Sequence, residues 1–515
     1  MDVQIVDGVE AAASIVSPLS VSVIAQVLEV PESDVVEAVE ALEATERATS
    51  SRQGVTAHSS TVSAARLTHI AGRLADVLAR RGAPVGQVGR AHWAAGDARA
   101  AHDAFIAAMA DESTAPEDRF DLIGLAIESG REARVGADIV APLLVTRARL
   151  LRSRGDDEQA KADLEAATPG LQGEPLVDAY GFAAALLDDQ QQPSDAERTI
   201  AMALQVAARE GLMAKLGSLL TFQGRLLARL GFDAETEQVF QRGTELVELH
   251  GDAVQRHYAT INRAWTDLDR GWVARAEGRY SAARGRGTID DPVAQAQLDI
   301  AIARAKFGTG DATGALSLLE DVDRVATGTV APALLFLATL ARAEGAITFR
   351  QPLAAVEAAT SLREIVEESF PAWRNRAATV EARALLLARR ISDARDAIRR
   401  GFETTPHGAN GLRLRTELEA LQLMAAERWD EERATDVADR LLQGGWMLAA
   451  VALLTERAHR EKRPELGKAA AALAHRLGAV PAAADAIEAA GAWDEPVSGP
   501  VALAVRRVAQ SVPPE

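Results

Sequence analysis

The sequence contains no cysteine, which removes disulfides, thiol nucleophiles and cysteine metal sites together and fits a reducing, cytoplasmic compartment. Aromatic residues are only 4% of the chain although hydrophobic residues are 48%, so alanine and leucine carry the apolar surface. Such a surface suits helices packed closely on small side chains, whereas a sheet draws on β-branched and aromatic residues. Lysine is nearly missing: 5 of the 56 basic residues are lysine and 51 are arginine. Long apolar runs are missing too. The longest, Val330 to Ile347, is interrupted by Pro332, Arg342 and Glu344 and reads as a buried hairpin, not a membrane span. The start, Met1-Asp2-Val3, lacks the basic residues of a secretory signal. The net charge of −18 disfavours nucleic acid as a partner unless a local basic surface overrides the global field.

What is present is a repeat. A helix, a turn often marked Gly-Asp and a second helix with small-large-small spacing recur along the chain. Gly96-Asp97 precedes Ala101, Phe105 and Ala108; Gly155-Asp156 precedes Ala160, Leu164 and Ala167; Gly310-Asp311 precedes Ala315, Leu319 and Val322. The small position steps through 160, 196, 236, 276, 315, 355, 394 and 434, in increments of 36, 40, 40, 39, 40, 39 and 40. Spacings of three and four keep these side chains on one helical face, and a small residue there lets two helices approach to about 8–10 Å. The partner helix repeats the device twelve residues earlier, at Gly89, Ala148, Ala184, Gly224, Ala264, Ala303, Ala343 and Ala382. Glycine in the turn supplies a left-handed cap and aspartate caps the next helix. The interval from Ala101 to Ala160 has room for one additional helix around Pro116 to Gly130.

This pattern resembles the tetratricopeptide repeat, in a longer variant, from about residue 83 to 442 with a degenerate continuation to about 490. The expected fold is all-α: a right-handed superhelical solenoid of roughly 40-residue helix hairpins over 83–490, preceded by a winged-helix-like module at 1–62 and a connecting helix at 63–82, and followed by a tail at 491–515.

In the N-terminal module Ser20 can cap a helix ending at Leu28, Ser33 can cap a second through about Leu42, and two short strands can flank Gln53-Gly54. The second helix carries Asp34, Glu37, Glu40 and Glu43 without a basic residue, so direct reading of DNA by it is opposed by phosphate repulsion, and a packing role is the plainer expectation. The stretch Leu19 to Leu28, then Val30-Pro31-Glu32 and Val35 to Val39, resembles the winged helix behind the nucleotide-binding domain of multidomain signal-transducing ATPases. Arg66-Leu67 to Gly82 and the Gly96-Asp97 hairpin resemble the approach to their repeats, in the order found in large maltose-activator-type transcription regulators. That resemblance implies repeats that sense a ligand or partner. It does not carry over ATP hydrolysis, since no Gly-x-x-x-x-Gly-Lys-Ser/Thr loop occurs, and no basic C-terminal helix-turn-helix follows. The expectation is the regulatory portion of a split or degraded regulator, or a piece of a longer one.

Chemistry is sparse. No histidine forms an i, i+4 pair or an HExxH motif, and Gly285-Arg286-Gly287 has no strand before it, so no catalytic residues, metal site or cofactor is expected. One column stands out. The residue after the small position of each first helix, expected to face the groove, reads Arg90, Arg149, Ala185, Arg225, Trp265, Arg304, Glu344 and Arg383. Guanidinium groups grip carboxylates and phosphates with paired hydrogen bonds, and Trp265 adds a flat apolar or cation–π surface. Arg90, Arg149, Arg225, Trp265, Arg304 and Arg383 therefore form a candidate groove for a protein partner, an acidic peptide or a small anionic effector. The competing reading is that each arginine pairs with an acidic neighbour in the next repeat. The expected role is a non-enzymatic regulatory scaffold; the alternatives are a transcription regulator using its helix-turn-helix, or the sensor part of a split signal-transduction ATPase.

Overall fold

The structure, a computed structural model, describes residues 3–51, 53–58, 62–111, 116–154, 156–285, 292–329 and 332–489. Among these, everything regular is helical except one two-stranded hairpin. The fold is an all-α helical-repeat solenoid in two compact units, Met1–Pro175 and Leu176–Glu515.

The first unit opens with α1 (Val3–Ile15), α2 (Val21–Leu28), α3 (Glu32–Ala44), and strands β1 (Ala48–Ser51) and β2 (Gly54–Ala57). The strands pair antiparallel, and Leu19 bridges to Val55 on the other edge of β2 through bonds of 3.0 and 2.8 Å. Ser20 caps α2, accepting from the Val23 amide. Ser33 does not cap α3: the cap falls two residues earlier, at Pro31, so that Ser33 is already inside the helix, and its hydroxyl donates to Asp34 instead. Proline supplies the dihedral that an N-cap needs without any side-chain hydrogen bond. Then come α4 (Ala64–Arg80), α5 (Val85–Ala94), α6 (Ala98–Ala110), the additional α7 (Pro116–Glu132), α8 (Ala137–Ser153) and α9 (Asp157–Ala167).

In the second unit each repeat pairs a first with a second helix: α10 (Gly173–Asp189) with α11 (Pro193–Arg209), α12 (Met213–Leu230) with α13 (Asp233–His250), α14 (Ala253–Asp269) with α15 (Val273–Gly285), and α16 (Pro292–Thr309) with α17 (Ala312–Thr329). The series continues with α18 (Pro332–Thr348) and α19 (Pro352–Ser369), α20 (Arg374–Leu387) and α21 (Ile391–Thr404), α22 (Leu412–Met424) and α23 (Glu431–Gln443), α24 (Met447–Glu461) and α25 (Pro464–Leu477), and finally α26 (Val480–Ala489). The run from Pro332 to Ile347 is thus part of one helix, not a hairpin, because Pro332 stands at its first turn, where proline is tolerated, and not in its middle. None of the described helices is long and apolar enough to cross a membrane. Gly155, Arg286 and Gly287, and the tail from 490 onward, lie outside the described residues.

The repeat stride is a packing stride. Ala160, Ala196, Thr236, Ala276, Ala315, Ala355, Ala394 and Ala434 are all 0% exposed. Sixteen residues after the small residue of a first helix stands a buried residue of the second, and at two glycines the fit is direct. A Cβ on Gly89 would come within 2.8 Å of the Phe105 ring, and one on Gly224 within 2.7 Å of Phe240. At four of the alanines, Ala148, Ala184, Ala303 and Ala382, the residue sixteen on is the slimmer Leu164, Ile200, Leu319 or Ile398; Ala343 has Ala359 there, and Ala264 has the bulky Tyr280, so size matching is not uniform along the series. The turns also keep step: Gln191, Gly231, Gly271, Gly310, Arg350 and Arg389 all have positive φ, between 54° and 96°. Half of them lack glycine and hold a conformation that costs an L residue about 1 kcal/mol.

The second unit is not a simple row of neighbours. Helices α24, α25 and α26 share one apolar core with α14 to α18, joining Val451, Ala474, Leu477 and Ile487 to Ala264, Val273, Ala305 and Leu334. Asn410 accepts from the Ser194 amide at 2.7 Å and donates to Asp195 at 3.1 Å. Gly231 lies against Gly444 and Trp446, Gly271 against Leu448, and Gly478 against Ala274. First helices α12 and α22, five repeats apart, touch. What local periodicity describes as an open trough is closed, within this unit, by the chain's own later repeats.

Candidate ligand site in the inner helices

The six predicted groove residues divide between the units. In the first unit Arg90 and Arg149 are exposed and make no hydrogen bond or ion pair with described residues. Arg90 lines a recess of about 480 Å³ with Phe120, Asp121, Leu125, Glu128 and Arg147. Arg149 does not reach it. The intervening α7 shifts the register, so that Arg147 and Leu151 of α8 face the recess instead. Arg147 is held by Asp163 through two bonds of 2.7 Å, which keeps its guanidinium firmly protonated.

In the second unit Arg225, Trp265, Arg304 and Arg383 belong to one charged hub built from the first helices of successive repeats. Arg225 and Arg229 of α12 both donate to Asp188 of α10, which is 1% exposed. Burial pushes the Asp188 carboxyl up, but the two guanidinium groups outweigh it and hold the group below the usual carboxylate range. Arg304 donates to Glu344 at 2.9 Å and lies over the Trp265 ring, 5.4 Å from its centroid. Arg376 donates to the other Glu344 oxygen at 2.7 Å and to Glu417 at 3.4 Å. Arg413 closes the circuit, donating to Glu417 at 3.0 Å and to the Asp269 carbonyl at 3.2 Å. Burial again opposes ionisation of Glu344, yet Arg304, Arg376 and Arg383 bring its pKa down to about 2.

Arg383 differs from its column mates. It is half-buried on α20, near Glu344 and Glu417, but makes no hydrogen bond and no ion pair with any described residue. Burial lowers its pKa; the attraction of Glu344 opposes this, and the smaller repulsion of Arg376 and attraction of Glu417 follow. A second donor in the hub also lacks an acceptor: the Tyr280 hydroxyl is fully buried without a hydrogen-bond partner, in the field of Arg304 and Arg225.

The column therefore contained its own counter-charge. Glu344, the one acidic member, sits one stride from Arg304 and one from Arg383, and this was the available signal for a pairing. Asp188, Arg229 and Asp269 stand three or four residues past their column positions, one turn along the same face, and form a second row that the column alone did not reveal; Arg376 lies two turns before Arg383, and Arg413 and Glu417 belong to a helix outside the column. Among the described residues no group of three or more His, Cys, Asp or Glu is placed to hold a metal ion.

No family model matches the chain, and no curated protein sequence matches it. Among solved structures, that of a Signal Transduction ATPase with Numerous Domains (STAND) protein with a tetratricopeptide repeat sensor, from Pyrococcus horikoshii, matches over 88% of this chain at 11% sequence identity with a TM-score of 0.37. This chain spans 64% of that protein's length.

Proposed function

We propose that the chain is a non-enzymatic regulatory scaffold whose inner helices receive a protein, an acidic peptide or a small anionic effector. The observation that supports this reading is the chemistry of the face left over from building the repeats. The core needs only the Ala, Leu and Phe faces, yet the remaining inner face carries charge: a hub in one unit, a recess with the unpaired Arg90 in the other. Buried ion pairs are poor stabilisers, and hydrophobic replacements of similar volume are often neutral or better by about 1–4 kcal/mol. Stability alone does not account for such a lining. Arg225 and Arg304 are occupied internally, while Arg90 and Arg149 are exposed, and of these two Arg90 is the one that lines the recess.

The test is affinity capture with the full chain from its native cell, then measurement of the captured partner's Kd for wild type and Arg90→Glu. A rise in Kd with the reversal, and with ionic strength, supports a charged groove; a partner indifferent to both removes it.

The N-terminal module supports a winged-helix reading through its α2–α3 pair and the Leu19–Val55 bridge onto the β1–β2 hairpin. Its α3 exposes Glu32, Glu37, Glu40 and Glu43, and its nearby Arg47 is bound to the buried Glu10, so a packing role is preferred to DNA reading. If the chain is the sensor part of a split signal-transduction ATPase, a neighbouring reading frame encoding a P-loop ATPase should yield a protein that co-purifies with it.

A further inference from the structure

The hub does not balance. Six guanidinium groups, Arg225, Arg229, Arg304, Arg376, Arg383 and Arg413, act on five carboxylates, Asp188, Asp189, Asp269, Glu344 and Glu417. Five of the six cations have a carboxylate within 4 Å. Arg383 has none and also lacks any hydrogen bond to described residues. An arginine carries five N–H donors in a rigid fork. That fork is half-buried beside Arg376, yet none of its nitrogens is among the fully enclosed atoms without a partner, so it stays open to an entering anion. The neighbouring column positions show the alternative, since Arg225 and Arg304 sit in the same kind of place with acidic partners supplied from adjacent repeats. At Arg383 no described residue supplies such a partner.

We infer that Arg383 is the receptor for one oxyanion group, a carboxylate or a phosphate, which enters the hub of the second unit and completes its charge balance. This rests on the proposed ligand-binding role and narrows it to a chemistry and a residue. The planar fork suits both oxyanions, as each can accept two parallel hydrogen bonds from it. Arg376, though committed to Glu344 and Glu417, adds its field on the same side. The unpartnered Tyr280 hydroxyl marks a further donor in the hub, on the Arg304 and Arg225 side.

The probes are inorganic phosphate and acetate, titrated into the full chain against sodium chloride at matched ionic strength, with calorimetry for affinity and thermal unfolding for stability. A saturable rise in Tm with phosphate, with acetate, or with both supports the site and tells which oxyanion it prefers. Arg383→Gln should raise the apparent Kd about tenfold or more, the usual scale for a charge-assisted hydrogen-bonded pair. Arg383→Lys, which keeps the charge but loses the fork, should fall between. The exposed Arg399→Gln, on α21, should bind as wild type does. In chloride alone Arg383→Gln should be as stable as wild type or more so, because the cost of burying the cation outweighs its attraction to Glu344 and Glu417 and it has no hydrogen bond to a described residue to lose. The inference fails if neither anion shifts Tm beyond chloride, or if Arg383→Gln binds unchanged. It also fails if Arg383→Gln unfolds the chain as readily as Arg376→Gln does, since that would make Arg383 a structural member of the network. Failure here with a partner still sensitive to Arg90→Glu would leave the scaffold reading intact; loss of both would remove it.

Discussion

Replacing Glu344 with glutamine tests whether the hub is held by charge. The carboxylate accepts from Arg304 at 2.9 Å and from Arg376 at 2.7 Å, and its side chain is 17% exposed. A shift from 4.5 in the unfolded chain to about 2 in the folded one corresponds to about 3 kcal/mol of stability at neutral pH. The sign follows from the depressed pKa. The contribution is fully present above the unfolded value of 4.5 and is lost as pH falls from there through about 2. Glu344→Gln leaves Arg304 and Arg376 without their shared anion, so it should destabilise by about 3–5 kcal/mol at pH 7. The gap to wild type should then narrow by roughly 2 kcal/mol at pH 3, where the wild-type carboxylate has forfeited much of its advantage. Urea unfolding followed by helical circular dichroism at both pH values reads this directly. A gap of the same size at pH 7 and pH 3 would refute the electrostatic account, and a variant as stable as wild type at pH 7 would refute the pairing altogether.

Gly224→Ala gains about 1 kcal/mol of helix propensity but places a methyl 2.7 Å from the Phe240 ring, an overpacking worth about 1–3 kcal/mol, so it should destabilise. In a Phe240→Leu background the same change should become stabilising, and a chemical-denaturation double-mutant cycle without that sign reversal would dispose of the fit between Gly224 and Phe240. Arg389→Gly, at a turn with φ 60° and no partner for its side chain, should raise stability by about 1 kcal/mol; a lower Tm would show that the turn is not strained. Gly478→Ala adds strain at φ +73° and brings a methyl 2.4 Å from Ala274, so hydrogen exchange should speed up around residues 270–276 as well as locally, and protection unchanged there would argue against closure. A gel shift at moderate salt with mixed duplex DNA should show no retarded band, given the acidic exposed face of α3.

What the sequence determined by itself is the stride. Small residues recurring every 36 to 40 positions need only their own hairpin to act on, and every one from Ala160 to Ala434 is buried where the period put it. The extra helix at Pro116–Glu132, the Ser20 cap and the glycine turns were legible for the same reason, since each is decided by a few adjacent residues. The partners of the arginine column were not. Arg225 meets Asp188 across 37 residues, Arg413 meets Asp269 across 144, and Asn410 meets Ser194 across 216. Those meetings depend on how far each hairpin turns relative to the last, a quantity set by the combined packing of five successive repeats. Only the tertiary structure could therefore decide that Arg225 and Arg304 are neutralised, that Arg90 and Arg149 stay in solvent, and that Arg383 is left facing the hub without an acceptor.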